Sequence, residues 1–278
     1  MRWQSGDEPL HSLIVQVIRQ LGSATFDLLE YLGQLAHLLR EIVVSLFYGK
    51  LRRRQIPIQI AEIGWSSQPV IIVTGAFTGA VLAAQALFQF KQLGLENGGG
   101  ALVSVAMFRE LGPSITALML AGRIGSGMAA VIGTMKVTEQ IDALRSMAVH
   151  PIDFLVVPRV IAIVIAVPLL TAQSALFGIT ASYLVGVKAF GVPAAYWNTH
   201  VDTYTDITDI YVLLIKAMTF GLLIVVISCH QGLKASNGAV GVGRGTTRAM
   251  VFSSLAILIA NLFLTLILNY FFPIGFAQ

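Results

Sequence analysis

The apolar and polar positions of the chain sort into an amphipathic opening stretch followed by five long apolar runs. Between residues 11 and 48, Ile14, Ile18, Leu21, Leu28, Leu32, Leu35, Leu39, Ile42, Val43 and Leu46 recur at helical spacing, interrupted by Arg19, Asp27, Glu30, Arg40 and Glu41. Such a stripe buries one helical face. It predicts one or two helices lying in the plane of a membrane interface, broken near Gly22-Ser23. Five spans follow. The first lies within the uncharged stretch Gly64–Phe90, and the second covers roughly Gly100–Gly122. The third falls within uncharged Val160–Val187, with room to tilt or to bend at Pro168. The fourth is roughly Ile210–Ser228 and contains Lys216; the fifth is roughly Ala249–Tyr270. Each is close to or above the ~20 residues a bilayer requires. The pattern predicts an all-α integral membrane protein: an interfacial region over 1–60, then a five-span domain over 61–278.

Composition supports this division. The chain is 56% hydrophobic and 12% charged, against about 25% charged in soluble domains. The net charge of +4 is modest, so placement matters more than sum. Lys50 and Arg52–Arg54 precede the first span. Arg123, Lys136, Arg145 and Arg159 fall between the second and third, and Lys234, Arg244 and Arg248 between the fourth and fifth. The alternate loops hold only Lys91 and Lys188, the latter near Asp202, Asp206 and Asp209. This asymmetry predicts N-terminus in and C-terminus out. The basic cluster before the first span is a topology signal that also suits anionic lipid head groups. Residues 1–12 mix acid and base without a short apolar core, unlike a signal peptide.

Against this background Arg109-Glu110 is anomalous. Asn97–Phe108 and Leu111–Gly122 on either side are uncharged. Each charge at the centre of a span costs on the order of 2.5–3.5 kcal/mol on insertion scales. Neighbours on a helix point about 100° apart, so each needs a partner elsewhere or a wet cavity. Pro113 removes the donor that would bond to the Arg109 carbonyl, and a kink is expected there. A charged pair at a kink points to an internal polar cavity; the plainer reading is an ion pair to another span, with Lys216 the candidate partner of Glu110.

Other motifs narrow the picture. Gly75 and Gly79, and the patch Gly122, Gly125, Ser126 and Gly127, allow close helix approach, either within the chain or at a dimer seam. In Thr134–Arg159, Val137, Ile141 and Leu144 fall at i, i+4, i+7, with Thr138 as expected N-cap and Glu139 in the first turn. Pro151 bounds this short helix, which reads either as a docking element for a cytoplasmic partner or as a solvated connector. Gly238–Thr247 is glycine-rich but lacks a preceding strand and a Gly-Lys-Ser/Thr ending, so it is expected to be a flexible turn, not a phosphate loop. His150, His200 and His230 are isolated, Cys229 is the single cysteine, and no metal-site spacing, hydrolase motif or nucleic-acid signature appears.

The stretch "FRELGPSITALMLAGRIGSGMAAVIGTMKVTEQIDALRSMAVHPIDFLVVPR", with "LIKAMTFGLLIVVIS" and "GVGRGTTRAMVFSSLAILIANLFLT", resembles the MlaE (YrbE) family, the permeases of ABC-type phospholipid transporters of the Mla and Mce systems. The likeness runs from about Val70 to the C-terminus. It implies a homodimer in a bacterial inner (cytoplasmic) membrane, crossing it several times. It implies a cytoplasmic ABC ATPase (MlaF-like) that carries the ATP and Mg, no cofactor or enzymatic activity in this chain itself, a periplasmic MCE-domain protein (MlaD-like) and a STAS-domain protein (MlaB-like). The coupling helix to the ATPase would be about 138–147, with Glu139, Gln140, Asp142 and Leu144 in contact. Phospholipid would sit in an outward-open cavity lined by the first, second and fifth spans, near Arg109, Glu110, Gln85 and Lys216; Leu87 stands where relatives carry an aromatic. Arg109 would attract the lipid phosphate and Glu110 would orient Arg109 or exclude wrong head groups. ATP-driven closure would move lipid between the inner membrane and the MCE protein, maintaining outer-membrane lipid asymmetry. The residues alone leave open a permease for another apolar substrate such as a sterol, a membrane-embedded lipid enzyme, or a non-transporting scaffold.

Overall fold

A computed structural model describes residues 8–49, 53–93, 99–236 and 238–272, and all regular structure among them is helical. The helices are α1 (Glu8–Tyr48), α2 (Gln55–Gln92), α3 (Gly99–Val137), α4 (Gln140–Ser146), α5 (Ile152–Ala189), α6 (Ala194–Tyr204), α7 (Ile207–Leu233) and α8 (Gly238–Phe271). Among the described residues five of them, α2, α3, α5, α7 and α8, are long and apolar enough to cross a membrane. They coincide with the five runs expected, and the chain is an all-α, multi-pass membrane protein. Lys50 and Arg52 of the basic cluster, and the first seven residues, lie outside the described residues.

Several spans are longer than hydropathy suggests, because the helices continue past the charged residues that end their apolar runs. α3 continues past Gly122 to Val137, so Arg123 is inside a helix and not in a loop. Arg159 likewise lies within α5, where its Nη1 donates to the Leu155 carbonyl at 2.6 Å. At 39 residues, α3 spans about 58 Å at 1.5 Å per residue, about twice the hydrocarbon thickness. Gly238–Thr247 is helical, not a flexible turn: it forms the first turns of α8. Glycine weakens a helix by about 1 kcal/mol but keeps its N–H, so the ladder survives. The same reason explains why α1 runs through Gly22-Ser23 without the expected break. Pro168 falls inside α5, which also continues through it.

α1 packs one stripe, Leu38, Ile42 and Ser45, against the body of the protein. Its Ser45 hydroxyl donates to Asp153 at the start of α5, and Gln34 receives a hydrogen bond from Lys234 at the end of α7. Phe26, Leu29, Leu32, Val43, Val44 and Phe47 remain exposed on the other side. A long helix clamped along one face and apolar on the other suits the interface plane.

Thr138 ends α3 and does not cap α4. Its hydroxyl turns back to the Thr134 carbonyl at 2.8 Å. Glu139 takes the left-handed conformation with φ 59°, so it precedes α4 and is not part of its first turn. Ala148, φ 56°, closes the other end. Two left-handed non-glycine residues are costly, and they separate a seven-residue helix from the spans on either side. On the opposite end, α6 is a helix that the residue pattern gave no reason to expect. It is held by Trp197, which is 2% exposed and fills the space beside Gly100 and Gly186.

The tightest seam is α2 against α5. A Cβ on Gly75 would lie 2.6 Å from the Ser174 carbonyl oxygen, and one on Gly79 would meet the backbone of Gly178. The Gly75–Gly79 pattern therefore serves packing within the chain. Gly79→Ala is expected to lower stability by about 1–3 kcal/mol through overpacking, read by denaturant titration in micelles. Unchanged stability would contradict this seam.

Candidate functional site

The charges of α3 converge with polar groups of α7 and α8 in two layers. Arg109 and Glu110 lie in a π-helical segment, Met107–Leu111, in which the Gly112 N–H bonds back to the Met107 carbonyl. Such segments widen a helix and re-aim side chains. Pro113, immediately after, cannot donate to the carbonyl four residues back, that of Arg109. Lys216 on α7 fills that vacancy: its Nζ donates to the Arg109 carbonyl at 2.7 Å. The same ammonium donates to Glu110 Oε1 at 2.9 Å and Thr265 Oγ1 at 2.8 Å. Its three protons are thus used, and the residue is 0% exposed. Where a kink is expected the helix takes this π segment, and the expected Glu110–Lys216 pair is present.

Arg109 forms the other layer. Its Nε donates to Asp209 Oδ1 at 2.5 Å, and its Nη1 donates to Asn269 Oδ1 and to the Phe272 carbonyl, each at 2.9 Å. Both ions of this pair are at most 3% exposed. Asp209 is held by its own helix start: Asp206 and Asp209 form a capping box in which the Asp206 N–H donates to Asp209 Oδ2 at 3.0 Å. In the first turn of α7, its charge also meets the positive end of the helix dipole. Asp209 thus serves two helices at once.

The charges balance, two guanidinium or ammonium groups against two carboxylates. Buried pairs contribute little net stability over apolar packing, but removing one partner costs about 3–5 kcal/mol. The cluster consequently fixes the register of α3, α7 and α8 more than it stabilises them. Glu110 is the open member, its side chain 36% exposed. Besides Lys216 it accepts from Thr265 Oγ1 at 2.9 Å and Asn261 Nδ2 at 3.1 Å. Asn261 Oδ1 beside it is buried without a hydrogen-bond partner among the described residues.

The remaining expected site residues are dispersed. Gln85 on α2 is exposed, whereas Leu87 is 3% exposed and packs with Val103, Met107 and Trp197. Two residues apart on a helix, they face nearly opposite ways. Of the expected docking residues, Glu139, Gln140 and Asp142 are exposed at α4. Asp142 receives hydrogen bonds from Lys136 at 3.2 Å and Arg145 at 3.4 Å. Leu144 is half-buried against the core with Ile141, so it anchors α4.

Sequence reasoning missed Asp209, which reads as one of three loop acids, and the polar stripe of α8. Asn261, Thr265 and Asn269 recur at i, i+4 and i+8 in an otherwise apolar span. That spacing places them on one face and was available as a signal.

Comparison with known proteins adds to this geometry. The family model described as "Permease MlaE" matches residues 56–267. A probable ABC transporter permease protein of Rickettsia typhi is 38% identical over 253 residues, covering 91% of this chain and 98% of its own. A probable ABC transporter permease protein of Synechocystis is 37% identical over 225 residues, covering 81% of this chain and 86% of its own. The chloroplastic protein TRIGALACTOSYLDIACYLGLYCEROL 1 of Arabidopsis thaliana is 37% identical over 232 residues, covering 84% of this chain and 65% of its own.

Lys216→Met strands Glu110 and the Arg109 carbonyl, and is expected to cost about 3–5 kcal/mol. Lys216→Met combined with Glu110→Gln should recover part of that loss, a coupling of about 0.5–3 kcal/mol. Denaturant titration of both single variants and the double variant checks this; strict additivity would mean that the pair is not coupled.

Proposed function

Because the chain belongs to the MlaE permease family, as an ABC transporter permease whose naming implies a partner ATPase, we propose that it moves phospholipid between the inner membrane and a periplasmic MCE-domain partner. In this reading it works as a homodimer, powered by an MlaF-like ATPase that holds ATP and Mg, with an MlaD-like MCE protein outside and an MlaB-like STAS protein inside. Its service is outer-membrane lipid asymmetry. The observation that carries the reading is the neutral cluster with one open edge. A substrate that is apolar along its length and polar at one end needs an apolar path and a local polar group. The partly exposed Glu110 side chain, with Asn261 beside it, supplies the latter. The name of the Arabidopsis relative, that of a galactolipid, supports a glycerolipid over a sterol.

The geometry refines the roles. Arg109 and Lys216 are buried and hydrogen-bonded, so they act on the head group indirectly, Lys216 by holding Glu110 and Arg109 by setting the local field from its pair with Asp209. A direct grip of Arg109 on lipid phosphate would first require it to leave Asp209. Exposed Gln85 is available to line the path; buried Leu87 shapes it from behind. At the other end, exposed Glu139, Gln140 and Asp142 offer an acidic docking edge, while Leu144 and Ile141 transmit its displacement to the core.

Glu139→Ala with Asp142→Lys is expected to reduce recovery of the ATPase on co-purification about tenfold or more. Recovery at the parental level would remove α4 as the docking element. Glu110→Gln keeps an acceptor for Lys216 and removes the carboxylate charge; it is expected to leave ATPase co-purification intact while reducing co-purified phospholipid, measured by lipid mass spectrometry. Unchanged lipid content would remove Glu110 from the lipid path.

A further inference from the structure

Three spans change from charged to uncharged sequence at one common level. On α2 the change falls between Glu62 and Gly64, on α3 at Arg123, and on α5 between Arg159 and Val160. These residues meet. Gln59, Glu62 and Ser66 of α2, Arg123 of α3 and Arg159 of α5 line a cavity of about 370 Å³, continued on its apolar side by Met128 and Val131. An adjoining cavity of about 300 Å³ shares Gln59 and Arg159.

The two arginines in this lining are unlike Arg109, which is paired with Asp209. Arg159 is 9% exposed, and the only hydrogen bond it makes to a described residue is the one to the Leu155 carbonyl. The residue lines both cavities. Neither it nor Arg123 forms an ion pair with a described residue, and Glu62 pairs only with Gln59, at 3.3 Å. A guanidinium nine-tenths buried, with one donor bonded within its own helix and a cavity at its side, is placed to take an anion that enters there. Arg123 sits in a second π-helical segment, Ala121–Gly125, which, like that at Arg109, turns a charged side chain out of the helix's ordinary register. The charged lining, two guanidinium groups and one carboxylate, is one positive charge in excess. A phosphodiester carries one negative charge.

We propose that this cavity is a second lipid site, binding the phosphodiester of a phospholipid in the leaflet that faces the N-terminal side of the bundle. Arg123 and Arg159 hold the phosphate, Glu62 and Gln59 meet hydroxyl or amino groups of the head, and Met128 and Val131 receive the upper acyl chain. The level fits: head groups lie where a span's apolar run ends, which is where these residues stand. Guanidinium donors match a phosphate's oxygens in fork geometry. The site lies in the opposite half of the bundle from the Arg109–Asp209 layer, and its occupancy does not depend on transport.

The test uses the full-length protein in nanodiscs containing a photoactivatable phosphatidylglycerol, with cross-links mapped by peptide mass spectrometry. Cross-links are expected on the peptides bearing Gln59–Ser66 and Arg123–Val131. They should fall about tenfold in Arg123→Gln, an exposed change that leaves the core intact, and in Arg159→Gln, and be retained in Arg159→Lys. A photoactivatable diacylglycerol of the same chains should not label these peptides, and 10 mM inorganic phosphate should not displace the lipid. Equal labelling by diacylglycerol, or equal labelling of the Arg123→Gln protein, would overturn the proposal. Displacement by inorganic phosphate would assign the cavity to a free anion and overturn the lipid reading.

Discussion

Everything at the centre of this protein depends on one missing hydrogen bond. Pro113 has no N–H for the Arg109 carbonyl, and a carbonyl left unpaired inside a membrane costs several kcal/mol. Lys216 of α7 supplies the donor. An ammonium in that position requires a counter-charge, which Glu110 provides. Glu110 in turn ties α3 to Thr265 and Asn261 on α8. The π segment puts Arg109 on a different bearing, toward Asp209 and the end of α8. Five features of the sequence that look separate are thus one network: Arg109-Glu110, Gly112-Pro113, Asp209, Lys216 and the polar stripe of α8.

That network explains how an apolar bundle acquires a defined register. Apolar side chains are nearly as content in lipid as against one another, so helix association in a membrane relies on close packing and polar links. This chain uses both, in different places. α2 and α5 approach through Gly75, Gly79, Ser174 and Gly178. α3, α7 and α8 are joined by ions. α8 leaves most of its length uncovered, with Leu258, Ile259, Leu262, Phe263 and Leu266 exposed; its position rests on a narrow packed face, Gly245, Ala249, Ser253 and Ile257, together with the polar stripe. A substrate that competes for Glu110 would act on the helix with the least packing to resist it.

How much was legible in the sequence follows from the same physics. Five apolar runs are visible because a bilayer demands them, and the Glu110–Lys216 pair was legible because an unpaired intramembrane charge is too costly to stand alone. Span ends were misplaced at Gly122 and Ala249 because hydropathy reports the hydrocarbon boundary, and helices continue past it. The glycine run of Gly238–Thr247 was misjudged because composition reads glycine as loop when a tertiary contact can hold it in a helix. Asp209 was invisible because its role comes from a partner a hundred positions away. The α4 boundaries shifted because Glu139 adopts a left-handed conformation that no propensity foretells.

The central claim is that the polar-edged path carries phospholipid. Its most direct measurement is movement of a fluorescent phospholipid from proteoliposomes holding the complete complex to acceptor vesicles. The account predicts ATP-dependent phospholipid movement that stops when this chain is left out. ATP hydrolysis that requires this chain but moves a sterol and no phospholipid would contradict it.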